Sequence, residues 1–332
     1  MLAALPKVEL HLHLDCSLSY SAVARLAPGV THEEYLSEYV APARCTNLAD
    51  FLARSPKGVG LMQEEEALRL VTEDVFRQLR ADNIVYAEIR FAPLLHLDRG
   101  LTAERVVEIV NEATESMVGE TGVEARLILC TLRHFTEEQS MQTARLVEAF
   151  RGTRVAAIDI AGDEAGFPIT AHVKAYDYAR VRGLCRTAHA GEACGPESVW
   201  ETLRLLQPTR IGHGTRSIED PALVAHLRAH AIHLELCPSS NVQIIPSLGD
   251  LQWHPLDTLY DAQVPLSIST DSRMLTPTTL TREYEEVERV FGWGSEDFLR
   301  TNLMAVDAAF VDDGVKVTLR EKLAAGYGAA VQ

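Results

Sequence analysis

The sequence predicts an α/β fold, a (β/α)8 TIM barrel with extra helices after strand 1 and at the C-terminus. Eight short apolar or β-branched runs recur along the chain, separated by stretches with apolar residues at three- and four-residue spacing. Parallel strands need crossover helices of that kind, and eight strand-helix units close into a barrel. The length of 332 residues suits one elaborated barrel, because such domains run to about 250 residues and more with insertions. Residues 1–332 are therefore read as a single domain.

The first strand is expected over 8–14, where leucines alternate with polar residues in Val8-Glu9-Leu10-His11-Leu12-His13-Leu14-Asp15. Strand side chains alternate between faces, so His11, His13 and Asp15 would share one side. A long excursion from Ser17 to Asn83 follows, with helices expected near Ser19 to Ala27, His32 to Tyr39 and Leu48 to Leu52. Material inserted after a barrel strand sits at the carboxyl-end mouth. Phe51, Leu52, Leu61 and Met62 could form an apolar lid there over a flat substrate, and each reads equally well as ordinary helix packing.

The helix at Glu64 to Asp82 leads into a strand at 84–91, and Thr102 to Val118 into 125–130. Glu137 to Phe150 precedes 154–160, and Ile169 to Arg182 precedes 185–189. Pro196 to Leu206, Pro221 to His230 and the segment after it introduce strands at 209–212, 232–237 and 265–270. The tail from Leu280 to Tyr327 reads as three more helices. Glu9, Glu88, Arg90, Arg126, Asp159 and Glu235 fall on strands whose apolar neighbours face the helix layer, so they should point into the barrel. Unpaired charges there would be very costly, which predicts a paired network.

Composition narrows the function. A content of 47% hydrophobic and 23% charged residues is that of a soluble globular protein, and no continuous apolar run reaches the roughly 20 residues of a membrane span. The opening Met-Leu-Ala-Ala-Leu-Pro-Lys lacks a secretion signal, so a cytoplasmic location is expected, with no membrane partner. A net charge of −16 with scattered Lys and Arg repels phosphate backbones, which excludes a nucleic-acid partner and points to a small molecule. Cys16, Cys45, Cys130, Cys185, Cys194 and Cys237 are widely spaced without a Cys-x-x-Cys pair, as free thiols would be.

Chemistry gathers at strand ends. Thr187-Ala188-His189-Ala190-Gly191-Glu192 follows the fifth strand, Arg210-Ile211-Gly212-His213-Gly214 the sixth, and Ser269-Thr270-Asp271-Ser272 closes the eighth. In a closed barrel all carboxyl ends meet at one face, so His11, His13, His189, Glu192, His213 and Asp271 should converge. Three imidazoles and a carboxylate suit one Zn²⁺ with a water in an open position, whose pKa the ion would lower toward about 7. Glu192 and His213 remain to handle protons.

These residues, with Pro6-Lys7, Asp159-Ile160-Ala161-Gly162-Asp163-Glu164 and Leu236-Cys237-Pro238-Ser239-Ser240, form a set that resembles the adenosine deaminase family of metal-dependent amidohydrolases. The resemblance runs from about residue 6 to the final helices. It implies a (β/α)8 barrel with one zinc per chain that converts adenosine and 2′-deoxyadenosine to the inosines. It further implies that His11, His13, His189 and Asp271 bind the metal, that Glu192 protonates N1 of the purine, and that His213 orients the attacking water. Asp271 would also accept the water's proton, Asp15 would bind the ribose 5′-hydroxyl, and the Gly162 N–H would meet N3. A carboxyl group that donates to N1 needs a raised pKa, which an apolar pocket provides.

Two residues depart from the family pattern. Cys16 stands where many members have glycine, and Ser272 where many have a second Asp that contacts N7. A hydroxyl can donate to N7 but is shorter and uncharged. The substrate could therefore be another 6-aminopurine, such as adenine, aminodeoxyfutalosine or an N6-modified adenylate. A different hydrolysis on the same scaffold is the further alternative. A binding protein derived from such an enzyme would be expected to have lost a ligand or the proton donor, and all are present. The His-x-Glu and Pro-Cys-x-x-Cys signature of nucleic-acid base deaminases is absent.

Overall fold

The computed structural model describes residues 2–330. Eight parallel strands pair in chain order: β1 Lys7–His13, β2 Ile84–Phe91, β3 Glu124–Leu132, β4 Val155–Ala161, β5 Cys185–Ala190, β6 Arg210–His213, β7 His233–Leu236 and β8 Leu266–Ile268. The ends of the sheet meet where Leu12 bridges Asp271. There the His13 N–H donates to the Asp271 carbonyl at 2.8 Å, and the Asp271 N–H donates to the His11 carbonyl at 3.0 Å. Closure of this kind pairs backbone groups that an open edge would expose. The fold is the expected (β/α)8 barrel.

Strand limits agree with the sequence pattern to within two residues. One shift matters for the site. Leu14, expected at the end of the first strand, opens a 3-10 turn Leu14–Cys16 in which the Ser17 N–H reaches back to the Leu14 carbonyl at 3.3 Å. Asp15 is thus aimed by a turn and not by strand alternation.

The excursion after β1 holds α1 Tyr20–Leu26, α2 His32–Glu38, α3 Leu48–Leu52 and α4 Ser55–Leu61. Side-chain caps set three of their starts: the Ser19, Thr31 and Asn47 oxygens accept from the N–H three residues on. Helix α4 was not foreseen. It contains Gly58 and Gly60, each roughly 1 kcal/mol worse than Ala in a helix, and they break the periodic signal. A Cβ on Gly58 would lie 2.8 Å from Met274 Cε and 3.3 Å from the Asp15 carbonyl, so the glycine lets α4 press directly over the Asp15 turn.

The outer layer is α5 Glu65–Ala81, α6 Ala103–Thr121, α7 Glu137–Ala149, α8 Val173–Val181, α9 Pro196–Leu205 and α10 Pro221–Ala229. Two short helices, α11 Pro238–Ile244 and α12 Leu256–Asp261, follow β7 and were also unforeseen. The three expected tail helices are α13 Leu280–Phe291, α14 Ser295–Ala308 and α15 Asp313–Ala330. On α5 the buried Leu68, Val71, Val75 and Leu79 form one stripe at three- and four-residue spacing. Burying each such side chain contributes about 1.5–3 kcal/mol.

Inside the barrel the expected charges pair, with two corrections. Arg90 donates to Asp159 at 2.7 Å and to Glu235 at 2.6 Å, while Arg210 donates to Glu235 at 2.8 Å and to Glu88 at 2.5 Å. Arg126 is not in this network; it pairs with Glu124 at the entry to β3, where water still reaches it. Glu9 is fully buried but belongs to a separate cluster, in which Arg273 bonds Glu9 at 2.7 Å and Asp82 at 3.1 Å. Arg210, Arg273 and Asp82 had no signal in strand alternation, since two of them lie outside strands and Arg210 begins one.

Three of the four buried histidines outside the strand-end cluster are held far below the ordinary imidazole pKa. Burial lowers His96 to about 4, and lowers His233, beside Arg210, and His254 to about 3. An unfolded chain binds protons at these rings below its ordinary value of about 6.5. Their contribution is therefore present above pH 6.5 and lost as pH falls toward 4, by about 2 kcal/mol each at pH 5. Urea midpoints measured between pH 5 and 7.5 should fall steeply with acid, and His96→Gln should flatten part of that slope. An identical slope in the variant would contradict the assignment.

Candidate active site

The carboxyl ends of the strands surround a cavity of about 530 Å³. His13 ends β1, His189 lies on β5 with Glu192 just beyond it, His213 ends β6, and Asp271 follows β8 by three residues. All five line the cavity; His11 sits beneath it, fully buried. The convergence expected from sequence is present for all six side chains.

His213 and Asp271 have backbone φ of +62° and +66°. Non-glycine residues pay about 1–3 kcal/mol for such a conformation, and it persists only where the surroundings over-determine it. At Asp271 those surroundings are the barrel-closing hydrogen bonds.

Two of the imidazoles, His11 and His189, have their orientation set from behind. His11 Nδ1 lies 2.9 Å from Glu235 Oε2, and His189 Nδ1 lies 3.0 Å from Asp159 Oδ2. A carboxylate accepts only, so each Nδ1 carries the hydrogen and each Nε2 turns a lone pair into the site. His11 Nε2 is buried without a hydrogen-bond partner. His13 Nε2 and His189 Nε2 stand 3.2 Å apart, and Asp271 Oδ1 is 3.5 Å from His13 Nε2 and 3.6 Å from His11 Nε2. Ligands about 2.0–2.1 Å from a tetrahedral ion are separated by about 3.4 Å. The donor set therefore fits a divalent cation in both chemistry and spacing, and the ligand atoms of His11, His13 and His189 all lie within 4.8 Å of one another. Burial lowers the pKa of His13 and His189, whereas the neighbouring carboxylates of Asp271 and Glu235 outweigh burial and raise that of His11.

Glu192 is set apart. Burial pushes its pKa well above the usual carboxylate range, and the negative charges of Asp271 and Glu164 add to the effect. Its Oε1 has no hydrogen-bond partner and faces His213 Nε2 at 3.4 Å. The Asn241 amide donates to His213 Nδ1 at 2.9 Å, while its carbonyl accepts from Thr215 at 2.8 Å and from His254 at 3.2 Å. His213 therefore carries its hydrogen on Nε2, pointing at the cavity. Ser240 donates to Asp271 Oδ2 at 2.6 Å. Ser240 and Asn241 were not assigned roles from sequence, although they directly continue the Cys237-Pro238-Ser239 run at the end of β7.

The expected substrate-contact residues all line the cavity: Asp15, Gly162, Ser272 and Phe51. Asp15 accepts from the Ala92 N–H at 3.1 Å, and burial pushes its pKa up to about 6. Ser272 donates to Asp271 Oδ1 at 3.2 Å. Of the four lid candidates, Phe51 and Leu52 line the cavity, joined by Leu48, Pro56 and Val59. Leu61 and Met62 do not line it; Met62 is packed in the core. All six cysteines are free, with Cys16 and Cys130 on the cavity wall.

A closed α/β barrel whose strand ends gather imidazoles and carboxylates in this way defines a metal-dependent hydrolase of the amidohydrolase kind. A family model for adenosine deaminase matches residues 6–326. The chain is 35% identical over 329 residues to the adenosine deaminase of Lacticaseibacillus paracasei, covering 97% of this chain and 96% of that one. Among solved structures it superposes on the adenine deaminase of Arthrobacter aurescens with a TM-score of 0.88 at 26% identity, over 96% of this chain and 98% of that one. The N6-mAMP deaminase of Arabidopsis gives 0.87 at 26% identity, over 98% and 99%. The chain belongs to the adenosine deaminase family and is a hydrolase acting on carbon–nitrogen bonds.

Replacing His13 and His189 together by Ala should leave purified protein without stoichiometric metal. Elemental analysis reads this directly, and full metal content in the variant would overturn the proposed ligand set.

Proposed function

We propose that this protein is a zinc-dependent adenosine deaminase that converts adenosine and 2′-deoxyadenosine to the corresponding inosines and ammonia. The observation that carries the reading is Glu192: a carboxyl group kept protonated by burial, without a hydrogen-bond partner, in the same cavity as the cluster of Nε2 donors. Deamination of a 6-aminopurine has a defined task for such a donor, because protonating N1 makes C6 electrophilic.

His11, His13, His189 and Asp271 are the residues proposed to hold one zinc ion, which supplies a water acidified toward a pKa of about 7. Glu192 delivers its proton to N1 as the water oxygen bonds to C6. His213, with its hydrogen fixed on Nε2 by Asn241, steadies that oxygen. Asp271 takes up the proton that the water loses and passes it to N6. The C6–N6 bond then breaks, N6 leaves as ammonia, the proton of the C6 hydroxyl restores Glu192, and N1 keeps its proton in the product. The remaining proposed contacts are Asp15 with the sugar 5′-hydroxyl, the Gly162 N–H with N3, and Phe51 against the flat base.

Two observations bear on the choice among 6-aminopurines. The described residues lining the cavity include Asp15, Asp98 and Asp163 and no lysine or arginine. A 5′-phosphate would meet carboxylates without a compensating cation, which disfavours adenylates and N6-modified adenylates. Ser272 spends its proton on Asp271 and so offers N7 a lone pair instead of a donor.

The reading is tested by following loss of the 6-amino group in ultraviolet absorbance across adenosine, 2′-deoxyadenosine, 7-deazaadenosine, adenine, adenylate and aminodeoxyfutalosine. Adenosine and 2′-deoxyadenosine should be the best substrates and adenylate far poorer. 7-Deazaadenosine should lie within about tenfold of adenosine in kcat/KM, the worth of at most one ordinary hydrogen bond. A metallated protein inert toward both nucleosides refutes the proposal. Glu192→Gln should lower kcat by about 10²–10⁴-fold, the usual share of a general acid, at unchanged metal content.

A further inference from the structure

Glu192, the proposed proton donor, has little side-chain support. Its carboxyl has no hydrogen-bond partner for Oε1, which stands 3.4 Å from His213 Nε2. Its aim is therefore set by its own backbone, in the loop between β5 and α9. That loop is not held by secondary structure. Arg216 bonds two of its carbonyls, those of Gly191 at 2.9 Å and Ala193 at 3.0 Å, and its N–H groups are gathered by one side chain from a different strand end.

Glu164 lies in the loop after β4 and is 6% exposed. Its Oε1 accepts from the Gly191 N–H at 2.7 Å and from Ser198 Oγ at 2.5 Å. Its Oε2 accepts from the N–H groups of Glu192 at 3.1 Å, Ala193 at 2.7 Å and Cys194 at 2.8 Å. Four consecutive amides thus converge on one carboxylate, and the fifth donor comes from the first turn of α9. All five partners are N–H or O–H dipoles, the arrangement of an anion nest filled by the protein's own side chain. The turn needs Gly191, whose φ is +70° and whose Cβ would stand 2.5 Å from Val199 Cγ2.

We propose that Glu164 is a positioning residue for catalysis: by gathering the amides of residues 191–194 it fixes the direction in which Glu192 presents its proton to the substrate. The inference rests on the deaminase reading of the site. Glu164 is not among the cavity-lining residues and touches none of the proposed metal ligands, so it reaches Glu192 through the loop it gathers and through its own charge, which favours the neutral Glu192 carboxyl. Displacing a reacting group by about 1 Å costs on the order of 10²-fold in rate. Glu164→Gln keeps the size of the side chain but places an NH₂ group against N–H donors, so the loop must open.

The test compares the metallated wild type, Glu164→Gln, Glu192→Gln and the double variant on the substrate that the wild type turns over best. Glu164→Gln should lose about 10²-fold in kcat with KM within about threefold and metal content unchanged. In the Glu192→Gln background it should cost nothing further, because the group it aims is already gone. A kcat within threefold of wild type, or an equal further loss in the double variant, overturns the proposal. Should Glu164→Gln not fold, Ser198→Ala decides: a severalfold lower kcat at full metal content supports the assignment, and an unchanged kcat overturns it. Amide hydrogen exchange at 191–194, slow in the wild type and faster in the variant, needs no substrate. It separates failure of the clamp from failure of the substrate assignment, which the wild-type panel decides.

Discussion

A continuous run of buried charge joins the interior of the barrel to the cluster above it, and the site depends on that run. Arg90 lies between Asp159 and Glu235, and these same two carboxylates accept the Nδ1 hydrogens of His189 and His11. Arg210 completes the charge of Glu235 and ties in Glu88. Two carboxylates buried alone would take up protons and release the imidazoles. Held ionised by the arginines, Asp159 and Glu235 instead fix which ring nitrogen of each histidine is free. A pair of this kind adds little net stability, yet losing one partner would cost several kcal/mol. Its role is orientation.

The opposite logic governs Glu192. No cation is bonded to it, burial favours its neutral form, and the carboxylates of Asp271 and Glu164 stand nearby. One barrel end thus keeps two classes of carboxyl group in different protonation states. Asp159 and Glu235, each with an arginine neighbour, stay charged and hold histidines; Glu192, with none bonded to it, stays neutral and can donate. Environments that separate the pKa values of neighbouring acids are how acid and base roles are divided at neutral pH.

The excursion after β1 and the loops after β2, β3 and β4 build the wall over this machinery. Apolar side chains from α3 and α4 face the strand-end groups, and carboxylates rim the cavity without a basic partner. The fold positions the reacting groups, while the insert and loops choose what may approach them, as is general for barrels of this type. Family membership fixes the class of reaction more firmly than the substrate, because relatives of the same architecture are named for adenine and for N6-mAMP.

Much of this was determined by the sequence alone. Local alternation placed His11 and His13 on one face of β1, and the repeated strand-helix order implied a closed barrel that brings His189, Glu192, His213 and Asp271 to the same rim. Those inferences succeed because strand periodicity and parallel closure are rules of backbone geometry, readable one segment at a time. What only the tertiary structure decided were interactions between segments far apart in sequence. They include Arg210 in place of Arg126 in the interior network, Glu9 drawn off to Arg273, Asp15 aimed by a turn, Ser272 committed to Asp271, and Glu164 holding the Glu192 loop. Each is a competition among several possible partners, settled by distance and burial once the chain has folded, and a linear pattern carries no record of which partner wins.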